Sequence, residues 1–222
     1  MLNTYIFDFD GTLVDSMKFW AGVHIKALTD NGINPPENFV ETITTLGNLK
    51  ASEYTISLGL DISLNEYIKK VNDELRVEYL HRVPLKPNVS NTLKILKNTS
   101  CSLNVLTASP HLYVDDCLKK LGVFECFDNI FTIDDFGHTK SEKIIYKKAA
   151  KKIGVDVNDC VFVDDNYIAI KTAKEAGMKT VAVYDDSSKN AITKLKSIAD
   201  LYVFDFGEIN TISTDSIMLN KI

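Results

Sequence analysis

Short apolar runs alternate with amphipathic stretches along most of the chain, and this pattern predicts its secondary structure. Runs rich in β-branched and aromatic residues indicate strands at 5–7, 103–106, 130–133, 161–163, 180–184 and 201–204. Most of them are separated by segments with helical periodicity, such as KTAKEAG, which ends on a glycine suited to a helix C-terminus. Fully apolar strands that alternate with helices are typical of a buried parallel sheet. We therefore predict an α/β fold with a Rossmann-like, doubly wound parallel sheet.

One interval departs from this alternation. Between residues 16 and 82 no segment resembles a buried strand, and helical segments such as FWAGVHIKALTDNG and LNEYIKKVNDELRVEYLHR dominate. The interval ends at VPLKP, where two prolines mark a linker back into the alternating pattern. We predict that residues 16–82 form an α-helical domain inserted into an α/β core of residues 1–15 and 83–222.

Composition and charge narrow the classes of partner. The 222 residues are 45% hydrophobic and 25% charged, as in ordinary globular proteins, and the net charge of −5 disfavours nucleic acid or an anionic membrane as partner. The four cysteines form no CxxC pair, which disfavours a disulfide framework or zinc site. No apolar run approaches the ~18 residues of a membrane helix. We expect a cytoplasmic protein that is a monomer or a weak homodimer.

Polar residues follow three of the predicted strands, and ligands of open parallel sheets bind beyond the strands' carboxyl ends. A lysine also stands at the predicted start of the helix before the fourth strand. These candidate site residues are Asp8, Asp10, Thr107, Ala108, Ser109, Lys140, Asp164 and Asp165. Four carboxylates, a hydroxyl and an ammonium are thus expected to converge on one edge of the sheet.

This set of groups favours phosphate chemistry. Crowded carboxylates require a divalent cation, and oxygen-only ligands favour Mg²⁺, which in turn suits a phosphate substrate. An aspartate that faces phosphorus can act as nucleophile and form an aspartyl-phosphate, while a second carboxylate transfers protons. The Thr107 hydroxyl and the Lys140 charge would stabilise the phosphoryl oxygens.

Four motifs carry a family resemblance over nearly the whole chain. DFDGT, LTAS, the lysine of TKSEKIIY, and VFVDDN followed by AKEAGM resemble, in order, the four motifs of the haloacid dehalogenase (HAD) superfamily. The likeness is greatest to its phosphatases and β-phosphoglucomutases with a small helical cap. The resemblance implies that residues 16–82 are a mobile cap over the site.

The resemblance also implies individual roles. Asp8 would be the nucleophile and Asp10 the general acid and base. Mg²⁺ would be held by the Asp8 side chain, the Asp10 carbonyl and the pair Asp164 and Asp165. Thr107, Ala108, Ser109 and Lys140 would bind the phosphate group. Lys140 is preferred to Lys143 because its spacing to Tyr146 resembles that of the family's lysine and tyrosine.

Two later segments, IDDFG and FDFGE, resemble DFDGT in composition. Neither has a second spaced acid and a small hydroxyl in the family's order, so only the first copy is predicted to be catalytic. Asp134 and Asp135 remain candidates for tuning the site electrostatically.

The predicted function is Mg²⁺-dependent hydrolysis of a small phosphorylated metabolite. The alternative within the family is a β-phosphoglucomutase-like phosphosugar mutase, which Trp20 and Pro110 disfavour because they stand where the mutases carry histidine and lysine. Lys50 matches the position of the mutases' cap arginine and is a candidate for binding the distal part of a substrate. A phosphate-sensing protein without turnover is the alternative of a different class.

Overall fold

A six-stranded parallel sheet lies at the centre of the computed structural model, which describes residues 4–211. The strands are β1 (Thr4–Phe7), β2 (Ser102–Thr107), β3 (Asn129–Thr132), β4 (Cys160–Asp164), β5 (Lys179–Val183) and β6 (Leu201–Val203). Their order is β3-β2-β1-β4-β5-β6, and every neighbouring pair is parallel. This is the doubly wound Rossmann order, so the predicted fold class is confirmed.

Nine α-helices lie within residues 4–211. They are α1 (Met17–Thr29), α2 (Phe39–Leu46), α3 (Asn48–Ser57), α4 (Leu64–His81), α5 (Val89–Asn98), α6 (His111–Lys120), α7 (Lys143–Ile153), α8 (Tyr167–Ala176) and α9 (Ile192–Ile198). Short 3-10 segments connect several of the elements. None of the helices in this range combines the length and the apolar composition that a bilayer span requires.

The chain divides into two compact units. Ser16–Val83 forms one, called the insertion unit, and the rest of the described chain forms the other, called the core unit. The C-terminal border of the insertion unit lies one residue beyond the predicted border. In the core unit the two ends that flank the insertion are paired, because Val14 and Leu85 form an antiparallel bridge. The Asp15 amide also donates to the Pro84 carbonyl at 3.0 Å.

Side chains from both faces of the sheet are buried in the core unit. Because successive residues of a strand point to opposite faces, Ile6 and Phe7 enter different apolar clusters. Ile6 lies in a cluster with Tyr146 of α7 and Ile170 of α8. On the opposite face, the Phe7 ring lies 5.8 Å from that of Phe206. Apolar side chains therefore pack against both faces of the sheet.

The insertion unit is entirely helical, as predicted, with no strand in Ser16–Val83. Tyr67, Val71, Leu75 and Tyr79 recur at every fourth position of α4 and are buried, which gives the helix one apolar face. Polar residues are also fully buried in this unit, among them His24. His24 of α1 has its Nδ1 atom 3.0 Å from the Tyr67 hydroxyl.

One local prediction is wrong. Lys140 was expected at the start of the helix before β4, but α7 begins at Lys143. The Tyr146 hydroxyl donates to the Lys140 carbonyl at 2.7 Å, and the Thr139 amide donates to the Glu142 carboxylate at 2.8 Å. These two hydrogen bonds give the backbone groups of Thr139 and Lys140 side-chain partners outside a helix. Lys140 therefore precedes α7.

Candidate active site

The neighbouring strands β1 and β4 end at the point where the strand order reverses, which is where open α/β sheets bind ligands. The Asp8 amide donates to the Val163 carbonyl at 2.9 Å, which fixes the end of one strand to the other. Carboxylate oxygens of Asp8, Asp164 and Asp165 all lie within 4.8 Å of one another, and all three residues are buried. The structure therefore brings together three of the four predicted metal-binding aspartates through their side chains.

Lys140 lies between two of these carboxylates. Its Nζ atom is 2.7 Å from Asp8 Oδ1 and 2.8 Å from Asp164 Oδ2, and its side chain is only 14% exposed. Lys143, the alternative lysine, instead pairs with Glu175 at 2.9 Å on the exposed surface. Lys140 is thus the lysine that contacts the acidic cluster.

The cluster carries more negative charge than its cation neutralises. Burial raises the pKa of Asp8, and Asp164 raises it further, despite the opposing effect of Lys140. Burial also raises the pKa of Asp165 well above its usual range, with added repulsion from Asp164 and Asp185. Burial alone would lower the pKa of Lys140, but the attraction of Asp164 and Asp8 outweighs it, so that pKa is raised. A site of this kind favours a further cation.

β2 and β4 lie on opposite sides of β1 in the sheet. The residues at the end of β2 contribute hydroxyl groups to the site. The Ser109 hydroxyl donates to Asp10 Oδ2 at 2.5 Å, and the buried Tyr113 hydroxyl donates to Ser109 Oγ at 3.5 Å. Thr107 is fully buried, and its Oγ1 atom accepts the Ser109 amide at 3.0 Å. Ala108 between them is exposed. Asp10 is therefore bound by a hydroxyl, whereas Asp8 is bound by an ammonium.

The glycine of DFDGT is required by a close approach. Gly11 has a φ of +72°, and a Cβ atom there would lie 2.7 Å from Asp165 Oδ1. Any side chain would displace that carboxylate. Thr12, the next residue, donates its hydroxyl to Asp165 Oδ1 at 3.3 Å. The loop after β1 thus packs directly on the acidic pair after β4.

The sequence patterns did not identify two residues that lie beside the site, Lys86 and Asn166. Lys86 donates to the Gly11 carbonyl at 2.7 Å and pairs with Asp185 at 2.9 Å. Its sequence signal was a lysine between the two prolines of VPLKP, which indicated only a linker. Asn166 was also missed; its amide donates to Asp164 Oδ1 at 2.6 Å, while its side chain caps α8.

The two near copies of the first motif have structural contacts. Asp135 accepts the Thr132 amide at 2.8 Å and lies 3.2 Å from His111 Nε2, so it binds the turn after β3. Asp205 accepts two hydrogen bonds from the Asn88 side chain, at 2.8 and 2.9 Å.

Lys50 lies in the insertion unit, where it is exposed on α3.

The chain is similar to a known protein family and to several known proteins. The family model described as haloacid dehalogenase-like hydrolase matches residues 5–183. The pyrophosphatase PpaX of Bacillus velezensis is 28% identical over 194 residues, covering 82% of this chain and 83% of that protein. The glyceraldehyde 3-phosphate phosphatase of Methanocaldococcus jannaschii is 27% identical over 224 residues, covering 90% and 97%.

Among solved structures, CbbY from Rhodobacter sphaeroides in complex with phosphate superposes with a TM-score of 0.84. The match covers 99% of this chain and 100% of the other at 17% identity, and it supports the fold. The family model, by contrast, spans all four sequence motifs and the strands that carry them. The chain therefore belongs to the haloacid dehalogenase-like hydrolases.

Proposed function

We propose that this protein is a Mg²⁺-dependent phosphatase that hydrolyses a small phosphorylated metabolite through an aspartyl-phosphate on Asp8. The observation that carries the proposal is the buried group of Asp8, Asp164 and Asp165 with Lys140 between two of them. Hydrolases of this family supply the reaction class, and the relatives named as phosphatases support phosphate esters or anhydrides as substrates.

The donor set fits Mg²⁺. All the candidate ligands are oxygen atoms, and the buried carboxylates are crowded enough for burial and mutual repulsion to raise the pKa of two of them. We propose that Asp8, Asp164 and Asp165 hold the ion through their side chains and Asp10 through its backbone carbonyl. When bound, the ion would neutralise phosphate charge and so admit an anionic substrate to an acidic site.

The first chemical step assigns different tasks to the two aspartates of the loop. An Asp8 carboxylate oxygen attacks phosphorus, and the bond from phosphorus to the leaving alcohol oxygen breaks. Asp10, in its protonated form, gives its proton to that oxygen, so the product leaves as a neutral alcohol. Lys140 stabilises negative charge on the transferring group from its position beside Asp8.

The second step regenerates the protein. A water molecule attacks phosphorus while the Asp10 carboxylate accepts its proton, and the bond from phosphorus to Asp8 breaks. Inorganic phosphate leaves, Asp8 is again a carboxylate and Asp10 is again protonated. Thr107, Ala108 and Ser109 are proposed to bind the phosphoryl oxygens in both steps; the Ser109 hydroxyl also contacts Asp10.

The substrate is proposed to be a small phosphorylated metabolite, with Lys50 binding its distal part. The names of the two relatives point to pyrophosphate and a triose phosphate as starting compounds for a screen. The mutase alternative gains no support from Trp20 and Pro110, which replace the histidine and lysine expected of mutases.

The test is a phosphate-release screen across sugar phosphates, polyol phosphates, pyrophosphate and phosphoglycolate. We expect release with Mg²⁺, its loss with excess chelator, and inhibition by Ca²⁺, whose higher coordination number and looser geometry would misplace the Asp8 carboxylate. Full activity in chelator would contradict the metal role. Conversion of a sugar phosphate to its isomer without net phosphate release would instead identify a mutase, and stoichiometric phosphorylation without turnover would identify a sensor.

A further inference from the structure

Lys86 is a partly buried cation of the core unit that none of the proposed chemical steps uses. In the chain it stands three residues after Val83 and precedes α5, and its side chain is 14% exposed. Its Nζ atom donates to the Gly11 carbonyl at 2.7 Å, to the Tyr184 carbonyl at 2.5 Å and to Asp185 Oδ2 at 2.9 Å. An ammonium has three donors, so these contacts use all of them.

The three acceptors belong to two loops at the same edge of the sheet. Gly11 directly follows Asp10, while Tyr184 and Asp185 follow β5, the strand beside β4. The β5 side is well fixed, because Asp185 Oδ1 accepts the Ser187 amide at 3.0 Å and the Ser187 hydroxyl at 2.6 Å. Lys86 therefore connects the loop that carries both aspartates to an anchored turn.

The loop after β1 needs such a connection because the backbone of its central residue, Gly11, is conformationally free. Gly11 has a positive φ and no side chain, so its backbone has more freedom than that of any other residue type. Rotation of its peptide would move Asp10 on one side and Thr12 on the other. Because a Cβ atom added to Gly11 would lie 2.7 Å from Asp165 Oδ1, movement of this loop would also disturb the acidic cluster.

We propose that Lys86 is a positioning residue for the reaction, which holds the Asp8–Gly11 loop in its reactive geometry through the Gly11 carbonyl. The inference rests on the proposed phosphatase function. With its donors engaged by protein acceptors, Lys86 acts on the loop and does not bind the transferring phosphoryl group. Its contribution is expected in turnover and not in substrate affinity.

The obvious variant, Lys86→Met, removes the donors and the charge at similar length. It also leaves Asp185 buried without its counter-charge, which destabilises a protein for reasons unrelated to positioning. The double variant Lys86→Met/Asp185→Asn removes that unpaired charge. Lys174→Met is a matched control, because Lys174 likewise donates to a backbone carbonyl, that of Ile198, at 2.7 Å and to Asp200 at 3.0 Å.

Turnover of p-nitrophenyl phosphate, thermal unfolding and hydrogen exchange are measured on all variants of the full chain. We expect kcat to fall on the order of 10- to 100-fold in both Lys86 variants, while KM stays within about threefold. Lys86→Met should lose about 6–20 °C in Tm, and the double variant should regain most of that loss. Amides of residues 8–14 should exchange faster in both Lys86 variants, and Lys174→Met should leave kcat and these amides unchanged.

Two results would overturn the inference. If kcat recovers together with Tm in the double variant, Lys86 has only a structural role. If exchange of residues 8–14 is unchanged in both Lys86 variants, the lysine does not hold the loop. The exchange measurement needs no substrate, so it tests the role of Lys86 even if the wild-type protein releases no phosphate. Absence of phosphate release would count against the proposed function alone.

Discussion

Asp8 and Asp10 are two residues apart in one loop, yet their surroundings differ. Asp8 is buried beside Lys140 and Asp164, whereas Asp10 accepts a hydrogen bond from Ser109. The Lys140 ammonium favours the ionised form of a nucleophile and so opposes the burial that raises the pKa of Asp8, whereas a neutral hydroxyl suits a group that exchanges a proton. Replacement of Asp8 and replacement of Asp10 are therefore expected to impair activity in different ways.

Asp8→Asn should abolish both turnover and covalent labelling, because it replaces the proposed carboxylate nucleophile with a neutral amide. Asp10→Asn should lower kcat for an alkyl phosphate by about 100- to 10,000-fold, the usual contribution of general acid–base catalysis. The loss should be smaller for an aryl phosphate, whose leaving group needs little protonation. Steady-state kinetics on both substrates checks this.

Asp205→Asn provides the matched control for these two variants. Asp205 belongs to the near copy FDFGE and binds the Asn88 side chain, so its replacement should leave kcat unchanged on either substrate. Equal losses for Asp8→Asn and Asp10→Asn across the two leaving groups would show that the roles are misassigned.

At the scale of the helices, a histidine of α1 is buried against α4, and its burial is expected to make the insertion unit sensitive to acid. His24 is fully buried, its Nδ1 atom contacts the Tyr67 hydroxyl at 3.0 Å, and its Nε2 atom has no hydrogen-bond partner within the described residues. Burial lowers the pKa of His24 from 6.5 to about 4. The folded state therefore binds this proton more weakly than the unfolded state does.

Because the folded pKa lies below the unfolded pKa, the stability linked to His24 is complete above pH 6.5. It is lost as the pH falls from 6.5 towards 4, by about 3 kcal/mol in total. Urea titrations followed by fluorescence of the single tryptophan, Trp20, should report this loss, because the Trp20 ring lies 4.8 Å from the His24 ring.

The variant His24→Asn separates this effect from other titrations. It is expected to be less stable than wild type at pH 7, because it loses apolar and aromatic packing, but to show a flatter dependence between pH 6.5 and 4. An unchanged pH slope in the variant would show that another group is responsible.

For the molecule as a whole, the fold was more predictable than the local contacts. The apolar runs predicted all six strands to within one residue or so at each end, because parallel strands are buried on both faces and their composition records that burial. The convergence of Asp8, Asp164 and Asp165 was predicted from their places at the carboxyl ends of strands, and Lys140 was preferred to Lys143 because of the family resemblance. Lys86 could not be found in this way, because it follows no strand and stands in a segment that indicated only a linker.

Lys50 tests whether the insertion unit selects the substrate. Lys50→Ala should lower kcat/KM for the best metabolite of the screen by about 1–3 kcal/mol, the range for a hydrogen bond to a charged group. It should scarcely change hydrolysis of a small aryl phosphate, which has no distal group. Lys69→Ala, which removes another exposed lysine of the same unit, is the control. Equal losses on both substrates would assign Lys50 a structural role.

The two core segments that flank the insertion are paired with each other, and this pairing makes the molecule modular. Val14 and Leu85 are bridged and the Asp15 amide binds the Pro84 carbonyl, so the core already brings together the two points where the insertion leaves and returns. A turn of about two to five residues could replace Ser16–Val83, because hairpins of that length join such ends. We expect the shortened chain to unfold cooperatively in a thermal circular dichroism scan. It would then serve as a recipient for insertions from other hydrolases, so that substrate preference could be exchanged without rebuilding the catalytic scaffold.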